Sequence, residues 1–560
     1  MVKHLFTICL GFLLALILWW PLFIQSNQFY TVSDQSLTEG VVEDFLERGT
    51  IDNTYSRLVS WYTYPRIYPE GLTLHYPVHL YAIGVIGSIF FGGWMSVAMP
   101  FLALLAIVWL VKGITEEVWQ RIDPEISEMA VYTAWIGGVS VLALAWLDGF
   151  RFEMFFIGFV LAGIYAMLRF FRQSTLAWLA IAGISLAFAM VLRQNYTLFA
   201  GSLLLMSGMQ ALAFTSPRQW IKVFLVMAIF PAVIVGSYYT LFIKEAGTIS
   251  YYSQSGYPVL DDYIFQPEYL NFQGFDAELN QEINREQFFE TMYGSFNEQY
   301  PSLRNLVTQA ETLGEVYHNL NQNLLVRPEI FFLGLLMAGI YWYSKQSPVY
   351  YLALGMFLPY ILTWAVYTSN PRYLHVHMVL WMGVVITGIL ISWSKIYVLG
   401  RVMLFGTVIT ILGFNVHSVY TQNFTDRTHI YWGESNPTGY NAMPHLMTWI
   451  KTETTEEDRI FTPLQREVAL HTEREAIWDP RMWFIQEEEE ILYYWDNLIQ
   501  AEYLFIKDSM IVPQDIYSGP MYAPQESTLY SMIVDADSDV FQEVHRFQDF
   551  TIYKINTDDL

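Results

Sequence analysis

The sequence predicts a polytopic α-helical membrane protein that ends in a soluble α/β domain. Of its 560 residues, 54% are hydrophobic and only 15% are charged, whereas soluble domains carry roughly 25% charged residues. The hydrophobic residues gather in runs close to the length of about 20 residues that a helix needs to cross the bilayer core. After Thr421 these runs stop, and the composition becomes that of a soluble domain.

The charge balance and the cysteine content exclude several classes of protein. The formal net charge is −24, which argues against a nucleic-acid surface, because phosphate binding needs clustered Lys and Arg side chains. The one cysteine, Cys9, lies within the first apolar run. A single cysteine excludes a disulfide framework or a cysteine-based metal site within one chain.

The first apolar run, residues 5–24, is predicted to be an uncleaved membrane anchor. No small-residue cleavage site follows it, which distinguishes it from a signal peptide. Lys3 precedes it, and positive residues beside a span stay in the cytoplasm. The N-terminus is therefore expected in the cytoplasm, and residues 26–77 form the first outer loop.

The first outer loop opens with SDQSLTEG (33–40). Ser33 or Asp34 is suited to cap an amphipathic helix that Gly49 ends. We expect this helix to lie at the membrane surface, followed by an aromatic and proline-rich segment at 60–77 that suits the headgroup zone. The predicted apolar face of the helix consists of Leu37, Val41, Phe45 and Leu46.

A short apolar run at 78–91 decides the topology of the chain that follows. At a rise of 1.5 Å per residue it is short for a full span. If it does not cross, the basic connections all lie in the cytoplasm, and if it crosses they all lie outside, against the positive-inside rule. We therefore predict about eleven spans and a re-entrant or juxtamembrane helix at 78–91. The basic connections are 169–173, 216–222, 344–346 and 394–401, and the spans after 78–91 are 94–111, 130–147, 154–170, 176–191, 196–214, 223–243, 330–343, 349–367, 374–392 and 396–416.

On this topology several polar segments share the outer face with the first loop. They are the turn WLDGFRFE (146–153), the long loop 244–328, the turn TSNPRY (368–373) and the tail after Thr421. The tail alternates helical and strand patterns, with a helix expected at FIQEEEEILYYWDNL (484–498). Strands are expected at RIFTP (459–463), AEYLFIKD (501–508) and VFQEVHRFQDFTIYKI (540–555). Residues 1–420 are thus predicted to form a transmembrane domain and residues 421–560 an extracytoplasmic α/β domain.

Asp34 and two arginines are the strongest candidates for chemistry on the outer face. A carboxylate at the membrane surface is suited to accept the proton of a hydroxyl that forms a bond to a sugar, although a plain helix cap accounts for Asp34 equally well. Arg372, beside Tyr373, is suited to bind a lipid phosphate and stabilise it as a leaving group, or it snorkels to the interface. Arg193 is likewise suited to bind a lipid phosphate, or it snorkels to the interface.

The second outer turn and the end of the first loop supply further candidates. Asp148, Arg151 and Glu153 form a charged cluster between two apolar runs, and such charges are either functional or paired with one another at the membrane rim. His75 and Glu70 carry the N and O ligands that a divalent metal takes, but two ligands make no complete site.

These segments together resemble the GT-C superfamily of polyprenyl-phosphate-sugar-dependent glycosyltransferases. The likeness is to the protein O-mannosyltransferase and lipid A aminoarabinose transferase group, whose first loop carries an acidic pair; here Gln35 follows Asp34. The proline segment of that group is matched by HYPVHL (75–80), its second acidic turn by FRFEM (150–154), and its RY pair by Arg372 and Tyr373. The segment YYWDNL (493–498) is similar to the WWD-type motif of oligosaccharyltransferases, although its pattern fits an ordinary amphipathic helix.

The resemblance implies a GT-C fold and an inverting transfer of a sugar to an acceptor on the outer face. Asp34 would act as the base, and Arg372 with Tyr373 and Arg193 would hold the donor phosphate. The implied partners are a polyprenyl-phosphate sugar, a lipid, glycan or protein acceptor, and the cell or inner membrane of a bacterium or archaeon. No cofactor is implied beyond a divalent metal near His75. Two alternatives stay open: an oligosaccharide ligase or oligosaccharyltransferase, and a lipid or solute transporter.

Overall fold

The structure is a computed structural model that describes two compact units. The first holds the described residues from Phe91 to Phe242 together with Tyr351, and the second holds the described residues up to Phe90 and those from Ala442 onward. The residues described are 40, 42–43, 45–47, 58–60, 78–92, 95–122, 152–192, 194–246, 351, 442–479, 482–483, 485–512, 523–535 and 540–556.

Long apolar helices account for most of the described chain before residue 247. Three stretches among the described residues are long and apolar enough to cross a membrane, namely Met154–Gln173, Thr197–Phe214 and Pro217–Ser237. They coincide with the predicted spans at 154–170, 196–214 and 223–243. The helices are α1 (Val78–Phe91), α2 (Met95–Ile122), α3 (Phe152–Gln173), α4 (Leu176–Leu192), α5 (Gln194–Phe214) and α6 (Trp220–Ala246).

Helix α1 has the bounds that the sequence predicted. It covers 14 residues and is followed by Gly92, whose φ of +57° lies in the left-handed region. Glycine adopts this conformation without a Cβ penalty and commonly ends helices. The helix is thus confirmed, and its re-entrant or juxtamembrane position stays a prediction.

Helix α2 is longer than the predicted span at 94–111. It continues to Ile122 through Lys112, Glu116 and Glu117. Lys112 and Glu116 lie 3.4 Å apart at i, i+4 spacing, an arrangement that supports a helix outside the apolar core. The apolar run therefore marked where the hydrophobic part ends, while the hydrogen-bonded helix extends beyond it.

The contacts between α2 and α3 show that these two helices run parallel. Near the start of the contact, the Ile107 side chain lies 3.8 Å from the Cβ position of Gly158. Further along, the Trp109 and Tyr165 rings lie 5.6 Å apart, and Glu117 meets Arg169 at the far end. The span predicted at 130–147 lies between these helices in the sequence and outside the described residues, so it stays a prediction.

One end of the first unit collects the basic connections. Phe171 at the end of α3 contacts Phe214 at the end of α5, with ring centroids 5.1 Å apart, and contacts Tyr351 at 5.6 Å. Tyr351 also shares a 2.8 Å hydrogen bond with Ser207 of α5. Helix α6 begins at this end, and the span predicted at 330–343 lies outside the described residues and stays a prediction. The basic residues at this end are Lys112, Arg169, Arg172, Arg218 and Lys222.

The second unit is built on a six-stranded mixed sheet. Its strands are β1 (Leu58–Ser60), β2 (Arg459–Phe461), β3 (Glu475–Trp478), β4 (Tyr503–Lys507), β7 (Phe541–Phe547) and β8 (Phe550–Ile555), in the order β1-β3-β2-β4-β8-β7. The first four are parallel to one another, whereas β8 pairs antiparallel with β4 and β7. Two short strands, β5 (Ile511–Val512) and β6 (Ala523–Pro524), form a separate pair. The strands expected at 459–463, 501–508 and 540–555 all lie where the sequence predicted them.

Helices cover this sheet and enclose an aromatic core. They are α7 (Ala442–Glu453), α8 (Gln465–Thr472), α9 (Glu488–Tyr494) and α10 (Thr528–Val534). The core centres on the fully buried rings of Trp478, Trp483 and Trp495. The helix predicted at 484–498 begins later, at Glu488, and changes to a π-helical turn at Trp495–Ile499.

The first loop departs from the prediction in two places. Residues Leu58–Ser60, expected in an irregular loop, form the edge strand β1 of the sheet. In the predicted surface helix, described residues between 40 and 47 are helical, but Val42 is buried while Leu46 is 50% exposed. Val42 is therefore an addition to the predicted apolar face, and the contact of exposed Leu46 with the membrane surface stays a prediction.

Candidate functional site

Most of the predicted site residues lie outside the part of the chain that the structure describes. Glu153 is described by its position alone, in the first turn of α3 rather than in a turn before it. A carboxylate in the first turn of a helix is stabilised by the helix dipole, so this position by itself requires no catalytic role. The residues outside the described part are Asp34, Glu70, His75, Asp148, Arg151, Arg193, Arg372 and Tyr373.

The described helices nevertheless bring two of these positions to the same end of the first unit. The chain passes from α4 to α5 at residue 193, and the Thr197 hydroxyl donates a 2.9 Å hydrogen bond to the Met190 carbonyl across this junction. Phe156 in the first part of α3 contacts Phe199 of α5, with ring centroids 5.6 Å apart. The start of α3, which includes residue 153, and the junction at 193 therefore lie together, opposite the basic end.

The first outer loop is described at its middle and at its end. Strand β1 ends at Ser60 and α1 begins at Val78, and the chain between them carries Glu70 and His75. Within the described ranges, no group of three or more His, Cys, Asp or Glu residues is arranged to hold a metal ion. The proposed metal pair lies outside those ranges and stays a prediction.

A buried charge cluster that the sequence analysis missed lies at the basic end. Glu117 of α2 is 5% exposed, and its Oε1 accepts hydrogen bonds from Nη1 of Arg169 at 2.7 Å and from Nη1 of Arg172 at 3.0 Å. The Arg169 guanidinium also lies 5.3 Å from the ring centre of Trp178. This cluster joins α2 to α3, and its position far from residues 153 and 193 favours a structural role. The sequence signal for this cluster was the i, i+3 spacing of Arg169 and Arg172, together with the acidic pair Glu116 and Glu117 just beyond an apolar run.

The motif-like segment YYWDNL forms part of the core of the second unit. Tyr494 and Trp495 are 2% and 1% exposed. The Tyr494 hydroxyl donates a hydrogen bond to the carboxylate of buried Asp479, and Trp495 Nε1 donates to the Ala501 carbonyl at 3.0 Å. The helix interpretation of this segment is confirmed, and two of its three aromatic side chains lie in the core, while Tyr493 is 40% exposed.

A cluster of histidine and aromatic rings lies at the β7 edge of the sheet. His545 stacks on Trp449 of α7, with centroids 4.9 Å apart and planes within 7°, and His445 lies 5.5 Å from His545. Burial and the neighbouring His445 lower the pKa of His545, and its Nε2 is buried without a hydrogen-bond partner. The stacking on Trp449 and the burial of Nε2 show that the His545 ring forms part of the packing between α7 and β7.

Comparison with solved structures identifies the fold. No family model matches the chain, and no curated protein matches it. The oligosaccharyltransferase of Archaeoglobus fulgidus in the apo form matches with a TM-score of 0.55 at 13% identity, over 92% of this chain and 71% of that one. The same organism's oligosaccharyltransferase AglB, in complex with an inhibitory peptide and a dolichol-phosphate, matches with a TM-score of 0.52 at 12% identity, over 91% of this chain and 70% of that one.

The chain thus shares the fold of these oligosaccharyltransferases, which are members of the GT-C superfamily that the sequence resembles. Three of its described helices are long and apolar enough to cross a membrane. ArnT from Cupriavidus metallidurans, bound to undecaprenyl phosphate, matches with a TM-score of 0.46 at 12% identity over 97% of both chains. That score is too low to support an argument. At these identities the comparisons establish the fold, and the reaction has to be argued from the residues.

Proposed function

We propose that this protein is a membrane glycosyltransferase that moves a sugar from a polyprenyl-phosphate donor to an acceptor on the outer face of the membrane. The observation that carries the proposal is the GT-C fold, which matches an oligosaccharyltransferase along more than nine tenths of the chain. One of those structures contains a dolichol-phosphate and a peptide, the two kinds of molecule that such a transfer brings together.

The proposed mechanism is a single displacement with inversion at the anomeric carbon. Asp34 accepts the proton of the acceptor hydroxyl while the hydroxyl oxygen forms a bond to that carbon. The bond from the carbon to the phosphate oxygen breaks, and the negative charge develops on the departing polyprenyl phosphate. Arg372, with Tyr373 and Arg193, binds this phosphate, because charge-assisted hydrogen bonds stabilise the leaving group most when its charge is greatest.

The arrangement of the first unit supports the outer location of the second acidic turn. Residue 153 and the junction at residue 193 share the end opposite the basic connections, and positive connections stay in the cytoplasm. Asp148, Arg151 and Glu153 are proposed to line the donor side of the site there. The acidic outer loops disfavour a strongly anionic acceptor, which leaves a neutral lipid, a glycan or a protein. A divalent metal held by Glu70 and His75 belongs to the same proposal.

The test of the mechanism is Asp34→Asn, which keeps the size of the side chain and removes the base. General-base catalysis contributes about 10²- to 10⁴-fold to a rate, so transfer in membranes should fall by at least about 100-fold. Donor binding should change little, because the asparagine carries no new charge. Glu39→Gln in the same loop is the matched control and should keep transfer. If Asp34→Asn retains most of its activity, the assignment of the base is wrong.

The oligosaccharyltransferase alternative draws on the same fold comparison. It differs in the donor, which would be a preassembled oligosaccharide on a polyprenyl lipid. The burial of Tyr494 and Trp495 argues against YYWDNL as an acceptor-binding motif. The mass of the glycan added to the acceptor separates the two: one sugar supports the main proposal, and an oligosaccharide supports the alternative. A transporter would release no free polyprenyl phosphate.

A further inference from the structure

Unpaired positive charge at the basic end of the first unit is concentrated at the start of α6. The basic residues of α2 and α3 at this end form ion pairs with Glu116 and Glu117. Arg218 and Lys222, by contrast, are exposed, and within the described part of the chain they form no ion pair. Their two charges are therefore available to an anion that approaches this end.

These two cations continue into an exposed apolar stripe on the same face of α6. Arg218 lies in the single 3₁₀ turn that leads directly into the helix, four residues before Lys222. Leu225, Ile229 and Val233 follow Lys222 by three, seven and eleven residues, a spacing that keeps side chains on one side of a helix. These three side chains, the apolar stripe, are 46%, 51% and 63% exposed.

The opposite face of α6 packs against the first unit. Val223 and Met227 are 0% and 8% exposed. A Cβ added at Gly183 of α4 would lie 3.7 Å from both Pro231 Cδ and the Val226 carbonyl oxygen. Since residues 223, 227 and 231 recur every four positions, they form one packed face. The apolar stripe and the two cations therefore face away from α4.

The apolar stripe has the length of one leaflet of a bilayer. From Lys222 to Val233 the helix rises about 16 Å at 1.5 Å per residue, which is half of a hydrocarbon core of about 30 Å. Trp220, between the two cations, donates a 2.9 Å hydrogen bond from Nε1 to the Leu212 carbonyl, and tryptophan favours the level of the headgroups. A lipid whose headgroup lies at the cations would thus have its acyl chains beside the stripe.

We propose that this face of α6 binds an anionic phospholipid in the leaflet on the side of the basic connections. Arg218 and Lys222 hold the phosphate through charge-assisted hydrogen bonds, and an acyl chain lies along the apolar stripe. A zwitterionic lipid carries a cation of its own, so the pair favours an anionic lipid. The site lies at the end opposite the proposed transfer reaction, and the inference does not rest on that reaction.

Native mass spectrometry of the full chain tests the headgroup site, with phosphatidylglycerol and phosphatidylcholine as the probes. One Lys or Arg beside an anionic lipid contributes about fivefold to binding, the equivalent of about 1 kcal/mol. Lys222→Gln should therefore weaken the binding of phosphatidylglycerol about fivefold, and Arg218→Gln with Lys222→Gln about 25-fold, the product of the two. Lys222→Arg keeps the charge and should retain binding. The binding of phosphatidylcholine should be the same in all variants.

The matched control is Lys112→Gln. It removes one positive charge from the same end, but from a side chain that lies 3.4 Å from Glu116. Phosphatidylglycerol binding should therefore change by less than about twofold. An equal loss in Lys112→Gln and Lys222→Gln assigns the effect to the net charge of this end and overturns the site. Unchanged binding in the double variant also overturns it.

Photo-cross-linking tests the position of the acyl chain. With benzoylphenylalanine in place of Ile229, in vesicles of equal parts phosphatidylglycerol and phosphatidylcholine, the anionic lipid should be labelled at least about fivefold more. Adding Arg218→Gln and Lys222→Gln should abolish this preference. The same probe in place of Met209 of α5, which is 63% exposed, is the control and should label both lipids equally. Equal labelling at position 229, or the same preference at position 209, overturns the proposal.

Glycerol phosphate, the soluble headgroup alone, distinguishes a lipid site from a site for a free anion. In excess, and compared with sodium chloride at equal ionic strength, it should leave the labelling of phosphatidylglycerol at position 229 unchanged. It lacks the chains whose burial on the apolar stripe holds the lipid. Loss of labelling with glycerol phosphate alone assigns the two cations to a soluble anion and overturns the lipid site.

Discussion

Helix α6 of the first unit and the core of the second unit differ in how much they expose large apolar side chains. On α6 of the first unit, Ile221, Phe224 and Val233 are 73%, 62% and 63% exposed. In the second unit, by contrast, three tryptophans are at most 2% exposed. An exposed apolar surface of that size is costly in water and costs nothing against lipid chains. The difference is the one expected between a helix that faces lipid and a sheet that buries its own core. Helix α1 of the second unit, where Ile89 and Phe90 are 69% and 76% exposed, resembles α6 in this respect.

The two units also bury charge differently. In the first unit, one carboxylate, Glu117, is held between two arginines of a neighbouring helix. In the second unit, buried Arg474 donates to the backbone carbonyls of Lys451 and Thr454 at 2.9 and 3.0 Å. Carbonyls in the middle of a helix are already occupied within it, whereas the last carbonyls of a helix have no intrahelical partner. The C-terminal end of α7 therefore supplies free backbone acceptors to Arg474, and the two arginines of the first unit use the Glu117 side chain instead.

The largest effect is expected from Glu117→Gln, which tests whether charge pairing joins α2 to α3. Removing one partner of a buried ion pair costs about 3–5 kcal/mol, and the low end applies here because Arg172 is 52% exposed and can turn to water. Stability in detergent should fall by about 3 kcal/mol, measured by thermal unfolding. Glu116→Gln, at a more exposed site, is the control with an expected effect of under about 1 kcal/mol. Equal effects of the two changes contradict the assignment.

The next effect tests the polar support of the aromatic core in the second unit. Tyr494→Phe removes the hydroxyl that donates to Asp479 and leaves a buried carboxylate short of one donor. Loss of a hydrogen bond to a charged group costs about 1.5–3 kcal/mol. Hydrogen exchange of the peptides that contain β3 and α9 should accelerate accordingly. Tyr493→Phe, at a side chain that is 40% exposed, should leave the exchange of these peptides nearly unchanged.

A smaller effect is expected where α3 and α4 approach most closely. A Cβ added at Gly163 would lie 2.7 Å from Leu186 Cγ, whereas one added at Gly208 of α5 meets nothing within 4 Å. Gly163→Ala should therefore destabilise the first unit by about 1–3 kcal/mol. Gly208→Ala should stabilise it by up to about 1 kcal/mol, because alanine loses less backbone entropy in a helix. Thermal unfolding of both variants in detergent checks the opposite signs, and a stabilising Gly163→Ala contradicts the packing.

The smallest effect concerns pH and belongs to the second unit. The folded protein lowers the pKa of His545 below the value of about 6.5 in unfolded chains. The unfolded state therefore binds more protons as the pH falls through about 6.5, and stability decreases until the pH passes the folded pKa. His545→Phe keeps a ring against Trp449 and removes this titration. The fall in melting temperature from about pH 7.5 to about pH 5.5 should be smaller in the variant, and an identical fall contradicts the linkage.

The sequence by itself determined the class of the protein and the ends of many elements. Apolar runs mark where α3, α5 and α6 lie because a span must exclude charge over its whole length. The bounds of α1 and the strands β2, β4, β7 and β8 were equally readable, since local pattern and turn residues define them. The likeness to GT-C enzymes, to which the structural neighbours belong, was also anticipated from the order of the outer segments and the short motifs around Asp34 and Arg372.

Only the tertiary structure decided which distant segments meet. Glu117 lies beyond a predicted span and its arginines in a predicted connection, so nothing local joins them. Residues Leu58–Ser60 carry no complete strand signal, and they become β1 because β3 presents an open edge whose backbone groups need partners. Pairing of this kind depends on the position of another part of the chain rather than on the residues that pair, and for that reason the sequence left the attachment of the first outer loop undecided.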